Sequence, residues 1–596
     1  MAALADRAAA SRPTRLMAQA PATPVGQGPL ERRAADVDSL GWQTWDVVIV
    51  GGGIVGAGAL LDATTRGMRA LLIEQDDIAA GTSSRSSRLI HGGLRYLEQF
   101  RFGLVREALA ERSRLLALAP HLVTLEPLLF PIYGMPFASK AFYDAGLTLY
   151  DILGARHDGG WHGRLSKADT LDLAPTLRHR GLRGGLLYHD GVEDDARYAL
   201  AVVRTAVAAG AVAVTRMRAT GLRGDGAPGT PRTTGALASG GAIRVVQAED
   251  LLTGLALEIP TRAVVDATGV WAAEPDHPFK GGSLRILPSR GAHLVVPRER
   301  IANQTGLTIR VPGKVVFLVP WPDHWLIGTT DAPYDGPAEH PSAAGWEVDR
   351  LLGTVNATMD VDLTRDDVVG TYAGLRPLIA PSDGSTVKAS REHRVTIESN
   401  GVVRIGGGKY TTYRVMARDV IDAVLGPAEA RLRLSDTAER RLVGAADTAA
   451  LARIAGELST IPAVRDVGPE TSTRLVARHG TAAPAVVALG AELGLLRPLV
   501  PGRSFLESEV VWAARHELAL SLDDVLARRT RLAQELADRG AAIAARVAEL
   551  LGGELGWGDA RQRLEVDSFL ATARREYSVA PPGEPGPPDT PSAPVD

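Results

Sequence analysis

The stretch Trp45–Glu74, WDVVIVGGGIVGAGALLDATTRGMRALLIE, decides the fold. Trp45–Val50 is a short β-branched run, the composition of a buried strand. Gly51–Gly58 is a glycine-rich turn leading into a helical stretch that ends near Arg66. Met68–Glu74 (MRALLIE) reads as a second strand. Strand, turn, helix and strand make a βαβ unit whose glycine turn lies in the first connection. Gly51, Gly53 and Gly56 spell GxGxxG. Gly51 permits the tight turn, Gly53 lets the backbone approach a pyrophosphate, and Gly56 lets the helix pack on the strand. The helix N-terminus then offers free N–H groups to phosphate. The turn residues predicted to hold a dinucleotide are Gly51, Gly52, Gly53, Ile54 and Gly56. Glu74 ends the second strand 18 residues past Gly56, placed to accept from a ribose hydroxyl, with Gln75 beside it.

GxGxxG alone is a weak signal in a chain with 64 glycines. A strand before it, a helix after it and a terminal Glu make it specific, against the bland reading of a turn without ligand. The motif does not by itself separate FAD from NAD. Composition narrows the rest. The chain has 596 residues, 45% hydrophobic and 23% charged, enough for two to four ordinary globular domains. Its formal charge of −3 leaves no electrostatic footprint for nucleic acid. It has no cysteine, which excludes disulfides, thiolate catalysis, iron–sulfur clusters and a cysteinyl flavin link. No cluster with metal-ligand spacing occurs, so no metal is predicted. No apolar run reaches the roughly 18 residues of a transmembrane helix; Ala199–Val214 is broken by Arg204. The N-terminus lacks the apolar core of a signal peptide.

Residues 1–44 are Ala/Arg/Pro-rich and are expected to be a disordered leader; the Pro-rich tail 580–596 is expected to be disordered as well. Residues 45–426 carry the strand signals. Among them, Val315–Pro320 and Trp325–Gly328 read as a hairpin around Pro322-Asp323, and Gly221–Gly241 as a loop or hairpin tip. Residues 427–579 show helical periodicity, as in Asp523–Leu551, and are assigned to a separate helical domain.

The segment after the βαβ unit, Gly81–Glu98 (GTSSRSSRLIHGGLRYLE), is the most informative. It resembles the aerobic, FAD-dependent glycerol-3-phosphate dehydrogenase family, which shares its broad fold with amino-acid oxidases. The resemblance runs from about Asp46 to Arg546, and HGGLRYLE is complete from His91 to Glu98. Hydroxyls at Ser83, Ser84, Ser86 and Ser87 suit phosphate and flavin, Gly92 and Gly93 allow the backbone close to an isoalloxazine ring, and Thr82, Leu89 and His91 are further implied cofactor contacts. Further matching segments are Asp194–Tyr198 (DDARY), Ala267–Gly269 (ATG), Ser289–His293 (SRGAH), Gly328–Asp331 (GTTD), Gly374–Pro377 (GLRP), Ser390–Arg394 (SREHR) and Gly406–Thr412 (GGGKYTT). Glu509–Ala514 and Leu522–Leu532 match in the helical part.

The resemblance implies an α/β (α+β) fold: a Rossmann-like FAD-binding domain with an interleaved mixed-sheet substrate domain, plus a C-terminal all-helical domain. It implies FAD as cofactor, with Gly269, Gly408, Lys409 and Thr411 completing the cofactor contacts. It implies oxidation of sn-glycerol 3-phosphate to dihydroxyacetone phosphate by hydride transfer from C2 to flavin N5. Arg95, Tyr96, Arg391 and Lys409 would hold the phosphate; Lys409 is one of only six lysines. His293 would take the hydroxyl proton, Arg376 is the rival that would stabilise an alkoxide, and Thr329 would orient the substrate. His91 is a possible covalent flavin anchor, with non-covalent FAD preferred.

The implied partners are membrane quinone as electron acceptor and a second copy of the chain in a homodimer. The implied location is the cytoplasm, peripheral on the inner face of the cell membrane. Arg528, Arg529 and Arg531 are weighed as a lipid-facing surface against an ordinary solvated helix face, and the latter is preferred. Asp523 and Arg528, five apart on a helix, need not pair; these charges are read as structural or interfacial rather than catalytic. Alternatives are a glycerol-3-phosphate oxidase that reduces oxygen to peroxide, an amino-acid or amine oxidase of the same fold, and a flavin-binding protein with a dead site.

Overall fold

A computed structural model describes residues 28–93, 102–134, 148, 162–224, 243–279, 284–311, 314–380 and 392–583. The central element is a six-stranded sheet. From one edge its strands are Arg394–Ile397, Val403–Gly406, Val264–Asp266, Val47–Val50, Ala70–Ile73 and Val212–Val214. All neighbours are parallel except the first pair. The two strands of the opening motif are buried at every residue, as their apolar runs require. Helix Ile54–Thr65 connects them and is buried along most of its length. It packs on helices Asp195–Ala208 and Tyr413–Leu425. A Cβ on Gly58 would come within 2.9 Å of Tyr413 and Ala417, so Gly58 sets how closely two of these helices approach.

A ten-stranded mixed sheet carries the second layer. Its longest pairing joins Ile286–Pro297 to Gly370–Ile379, antiparallel, bringing His293 opposite Tyr372 and Ser289 opposite Arg376. Strand His324–Gly328 lies on the other side of Ile286–Pro297, with Gly328 opposite His293. The hairpin read around Pro322-Asp323 is present, Trp321 pairing with His324. A third, three-stranded antiparallel sheet contains Met217–Arg223 and Arg244–Asp250. These two strands flank the predicted Gly221–Gly241 loop, most of which lies outside the described residues. The mixed sheets and the helical C-terminal part agree with the fold class read from the sequence.

Beyond Gly406 the described residues form helices and turns, with one isolated bridge between Pro498 and Leu506. These helices share a core with the mixed sheet: Leu128, Phe130, Val319 and Tyr372 pack in one cluster with Val511, Leu526, Leu532 and Phe569.

Several sequence expectations need correction. Within the stretch expected to be a disordered leader, Pro29–Ser39 is a helix, with Pro29 in its first turn and Glu31 accepting from the Gly28 N–H (3.1 Å). Its Arg33 bonds Asp250 (2.7 Å) and the Thr215 carbonyl (2.9 Å), and its Arg32 bonds the Arg515 carbonyl (2.6 Å). The helical stretch Asp523–Leu551 is divided into three pieces. A π-helical turn spans Asp524–Arg529, a short helix spans Leu532–Glu535, and Ala541–Leu555 follows; Arg531 and Arg539 adopt positive φ at the breaks.

The π turn closes on the fifth residue, which brings Asp523 and Arg528 together at 2.5 Å. Arg528, Arg529 and Arg531 are all buried, facing neither lipid nor water. They are neutralised by carboxylates of the nucleotide domain: Asp77 bonds Arg528 and Arg529 at 2.6 Å, and Asp194 bonds Arg531 at 2.8 Å. At the other end of the chain, Arg365 donates to the Ala580 carbonyl and Pro581 abuts Gly345, so the first residues of the expected tail are packed.

Candidate functional site

One cavity of about 890 Å³ opens between the parallel sheet and the mixed sheet. At one end lie Gly51, Gly53 and Ile54 of the glycine turn with Glu74 and Gln75; along it lie Thr82, Ser83, Ser87, Leu89, His91 and Gly269; at the far end lie His293, Arg376, Gly408, Lys409 and Thr411. These predicted residues border a common space. Gly52, Gly56, Ser84, Gly92, Gly93 and Thr329 do not line it. Arg95, Tyr96 and Arg391 fall outside the described residues.

The glycine turn is built for close approach. Gly51 has φ +111°, and a Cβ there would sit 2.6 Å from the Ala267 carbonyl oxygen. A Cβ on Gly56 would collide with the Gly51 carbonyl, so Gly56 serves the turn rather than a ligand. Gly52 donates its N–H to Glu74 Oε2 (2.5 Å), and Asp76 donates to Glu74 Oε1 (2.8 Å). Burial, opposed by the Gly52 bond, pushes the Glu74 carboxyl up to about 7. The predicted ribose acceptor is therefore also the brace of the turn.

Ser83 Oγ accepts from the Ile54 N–H (2.9 Å) and caps the helix. Thr82 donates to the Leu375 carbonyl (2.5 Å), tying this loop to strand Gly370–Ile379. Gly374 permits that crossing, since a Cβ would come within 2.6 Å of the Arg85 carbonyl. Ser84 is buried and donates to the Gly81 carbonyl (3.4 Å).

At the far end, His293 is buried, stacked on Tyr372 with ring centres 4.8 Å apart and planes at 13°. Its Nε2 lies 2.8 Å from Ser87 Oγ, and its Nδ1 has no hydrogen-bond partner among the described residues. Burial first, then the cations Arg376 and Arg88, lowers its pKa to about 3. The ring is neutral at pH 7, so one nitrogen is free of a proton and able to accept one. Arg376 Nη2 donates to Thr329 Oγ1 (3.0 Å) and to the Thr330 carbonyl (3.1 Å), while Nη1 faces Asp331 (3.2 Å). Thr329 thus orients Arg376. Lys409 is half-buried at the start of the short helical turn Tyr410–Thr412.

Sequence reasoning passed over several residues that shape this end. Tyr372 reaches His293 only through strand register and donates its hydroxyl to the Ser86 carbonyl (2.9 Å). Trp271 lines the cavity with an indole N–H that has no partner among the described residues. Arg85 and His340 also line it, both bonded to Glu576 of the last helix. Arg85 lay inside the quoted loop, and spacing gave no reason to separate it from its neighbours; Ser86, read there as a hydroxyl for phosphate and flavin, lines the cavity.

The cradle fits FAD. A glycine turn open at a helix N-terminus suits a pyrophosphate, a carboxyl at the strand end suits a ribose, and a long cavity with an unpartnered indole donor suits a flavin ring. Among the described residues no cluster could hold a metal ion, and no helix is long and apolar enough to cross a membrane.

Comparison with known proteins points the same way. The family model described as FAD dependent oxidoreductase matches residues 46–414. The model described as the C-terminal domain of alpha-glycerophosphate oxidase matches residues 435–562. Glycerol-3-phosphate dehydrogenase 2 of Mycobacterium tuberculosis is 41% identical over 552 residues, covering 92% of this chain and 91% of that protein. The mitochondrial glycerol-3-phosphate dehydrogenase of Homo sapiens is 33% identical over 569 residues, covering 91% of this chain and 75% of that protein. Among solved structures, the glycerol-3-phosphate dehydrogenase from Bacillus halodurans complexed with FAD superposes with a TM-score of 0.73 at 26% identity, covering 92% of this chain and 98% of that one.

Proposed function

The chain belongs to the FAD-dependent glycerol-3-phosphate dehydrogenase family, and on that premise we propose that it oxidises sn-glycerol 3-phosphate to dihydroxyacetone phosphate. The observation that carries this reading is a cavity that joins the glycine turn at Gly51, Gly53 and Ile54 to His293, Arg376 and Lys409. FAD, when bound, supplies the two-electron acceptor for the hydride of C2. The remaining work falls to side chains. Lys409 offers an ammonium to the phosphate dianion, joined in this reading by Arg95, Tyr96 and Arg391. His293, neutral and unprotonated on one nitrogen, accepts the C2 hydroxyl proton. Arg376, held by Thr329 and Asp331, is a fixed cation for the oxygen as it loses that proton. A second anion near His293 would offset the two guanidinium charges that depress it, so substrate binding itself raises its basicity.

Three finer parts of the reading rest on family resemblance: a membrane quinone takes the electrons onward, the protein sits peripherally on the inner face of the cell membrane, and it works as a homodimer. The test is anaerobic addition of sn-glycerol 3-phosphate to purified protein. The flavin band near roughly 450 nm should bleach with this substrate and not with glycerol or amino acids. Readmitting a quinone should restore it; restoration by oxygen with stoichiometric peroxide would make the protein an oxidase. A bound flavin that glycerol 3-phosphate leaves oxidised would overturn the substrate assignment.

A further inference from the structure

Arg531 belongs to the helical C-terminal part, yet its guanidinium ends beside the cofactor loop. The side chain is 1% exposed. It bonds Asp194 (2.8 Å), Asp195 and the carbonyl of Ser84 (3.0 Å). Asp195 opens helix Asp195–Ala208 and is fully buried. Its second carboxylate oxygen accepts from both the N–H (2.9 Å) and the hydroxyl (2.7 Å) of Ser86. Ser86 lines the cavity, and Ser87 next to it holds His293 Nε2 at 2.8 Å. Tyr372, on which His293 stacks, is bonded to the carbonyl of Ser86. The backbone of Asp195 also accepts from Tyr410, another cavity residue (2.5 Å).

We propose that Arg531 is a positioning residue: through Asp195 and Ser86 it fixes the Ser84–Ser87 loop, and so sets His293 against the substrate. Resting on the function proposed above, this gives the C-terminal part a role in the chemistry besides its share of the core. The physical reason is rigidity. A loop of three serines and one arginine has many conformations, and its side chains direct both the cofactor cavity and the histidine. A buried Asp–Arg pair with its lone pairs and N–H groups filled holds such a loop in one of them. Arg531 pairs two adjacent carboxylates at once, and its N–H groups reach Ser84 on the near side of Ser86.

The test compares wild type with Arg531→Lys, Arg531→Gln and Ser86→Ala, each as the full FAD-loaded chain. The rate of anaerobic flavin bleaching by saturating substrate should fall about 10- to 100-fold in Arg531→Gln and Ser86→Ala, as displacement of a reacting group by an ångström does. The KM should change less than the rate. Arg531→Gln combined with Ser86→Ala should be no slower than the worse single variant, because both cut one chain of contacts. Arg474→Gln is the control: it breaks an ion pair to Asp323 (2.6 Å), and neither residue lines the cavity. It should lower the melting temperature and leave the bleaching rate unchanged.

Wild-type bleaching rates in Arg531→Lys, Arg531→Gln and Ser86→Ala would overturn the proposal, even with lower melting temperatures; so would single losses that multiply in the double variant. Should Arg531→Gln fail to fold, Ser86→Ala and Arg531→Lys decide alone. Should glycerol 3-phosphate fail to bleach the wild type, the function reading falls by itself. The positioning role is then judged on FAD affinity, which the same coupling between Arg531 and Ser86 must still govern.

Discussion

At the scale of single residues, the environment of His293 explains why a histidine sits there. A buried ring between two guanidinium groups stays neutral across the physiological range, its pKa held near 3 by burial, Arg376 and Arg88. A neutral ring is a competent acceptor only if the other reactants make protonation favourable, and a phosphate dianion does so. His293→Gln keeps a hydrogen bond to Ser87 and loses the base. Flavin bleaching should slow by about 10²- to 10⁴-fold with FAD still bound; a loss below about threefold would return the proton step to Arg376. A second histidine carries a stability signature. His324 is buried, and burial with the nearby Arg503 lowers its pKa to about 4. Its folded pKa lies below the unfolded value of about 6.5, so the unfolded chain binds more protons between the two. Its contribution is therefore complete above pH 6.5 and is lost as pH falls towards 4, by about 1.4 kcal/mol per pH unit. Glu74 works with the opposite sign, since its raised pKa of about 7 favours the folded state as pH drops below that value. Replacing His324 by Gln should flatten the fall in melting temperature between pH 6.5 and 4.5; parallel curves for the two proteins would reject this account.

At the scale of elements, the parts that were legible are those whose chemistry requires fixed residue types at fixed spacing. The strand–turn–helix at Val47–Thr65 could be read because only glycine tolerates the contacts at Gly51 and Gly56. The pair of strands carrying His293 and Tyr372 could not, since register joins residues far apart in the chain and no local pattern encodes it. The helical stretch Asp523–Leu551 hides its breaks for a related reason. Its apolar residues recur at helical intervals, so periodicity does not show where it breaks. The arginines decide where: Arg528, Arg529 and Arg531 must each reach a carboxylate on another element, and the π turn with its positive-φ breaks aims them there. Asp77 shows the strength of that demand. Buried at the end of the second strand's loop, it accepts from Arg528 Nε (2.6 Å) and from Arg529 Nη1 (2.6 Å) and Nη2 (2.8 Å). Asp77→Asn would leave the two guanidinium groups undercompensated in the interior. It should lower unfolding free energy by about 3–5 kcal/mol, the usual result of breaking one side of a buried pair. Urea unfolding measures it, and a change below about 1 kcal/mol would mean that the neighbouring Asp523 and Asp524 already suffice.

At the scale of the whole molecule, the composition break near residue 426 marks a change of architecture, and it suggests two separable domains. The contacts argue that separation would be costly. The C-terminal helices complete the mixed sheet's core, with Leu526, Leu532, Val511 and Phe569 packed against Phe130, Val319 and Tyr372. Each such side chain is worth about 1.5–3 kcal/mol when fully buried, in sum comparable to the usual stability of a domain. Removing these helices would also strand Asp77, Asp194 and Asp195 in apolar surroundings without their arginines. The helix Pro29–Ser39 adds a strap across the same boundary, with Arg33 on the nucleotide side and Arg32 on Arg515. A chain ended at Gly426 should therefore be insoluble or molten, bind no FAD, and expose enough apolar surface to bind a hydrophobic dye. Limited proteolysis of the intact protein should likewise yield no stable 45–426 fragment. A monodisperse 1–426 protein carrying stoichiometric FAD would show that the nucleotide domain folds alone. The helical part would then matter to the site only through contacts such as that of Arg531.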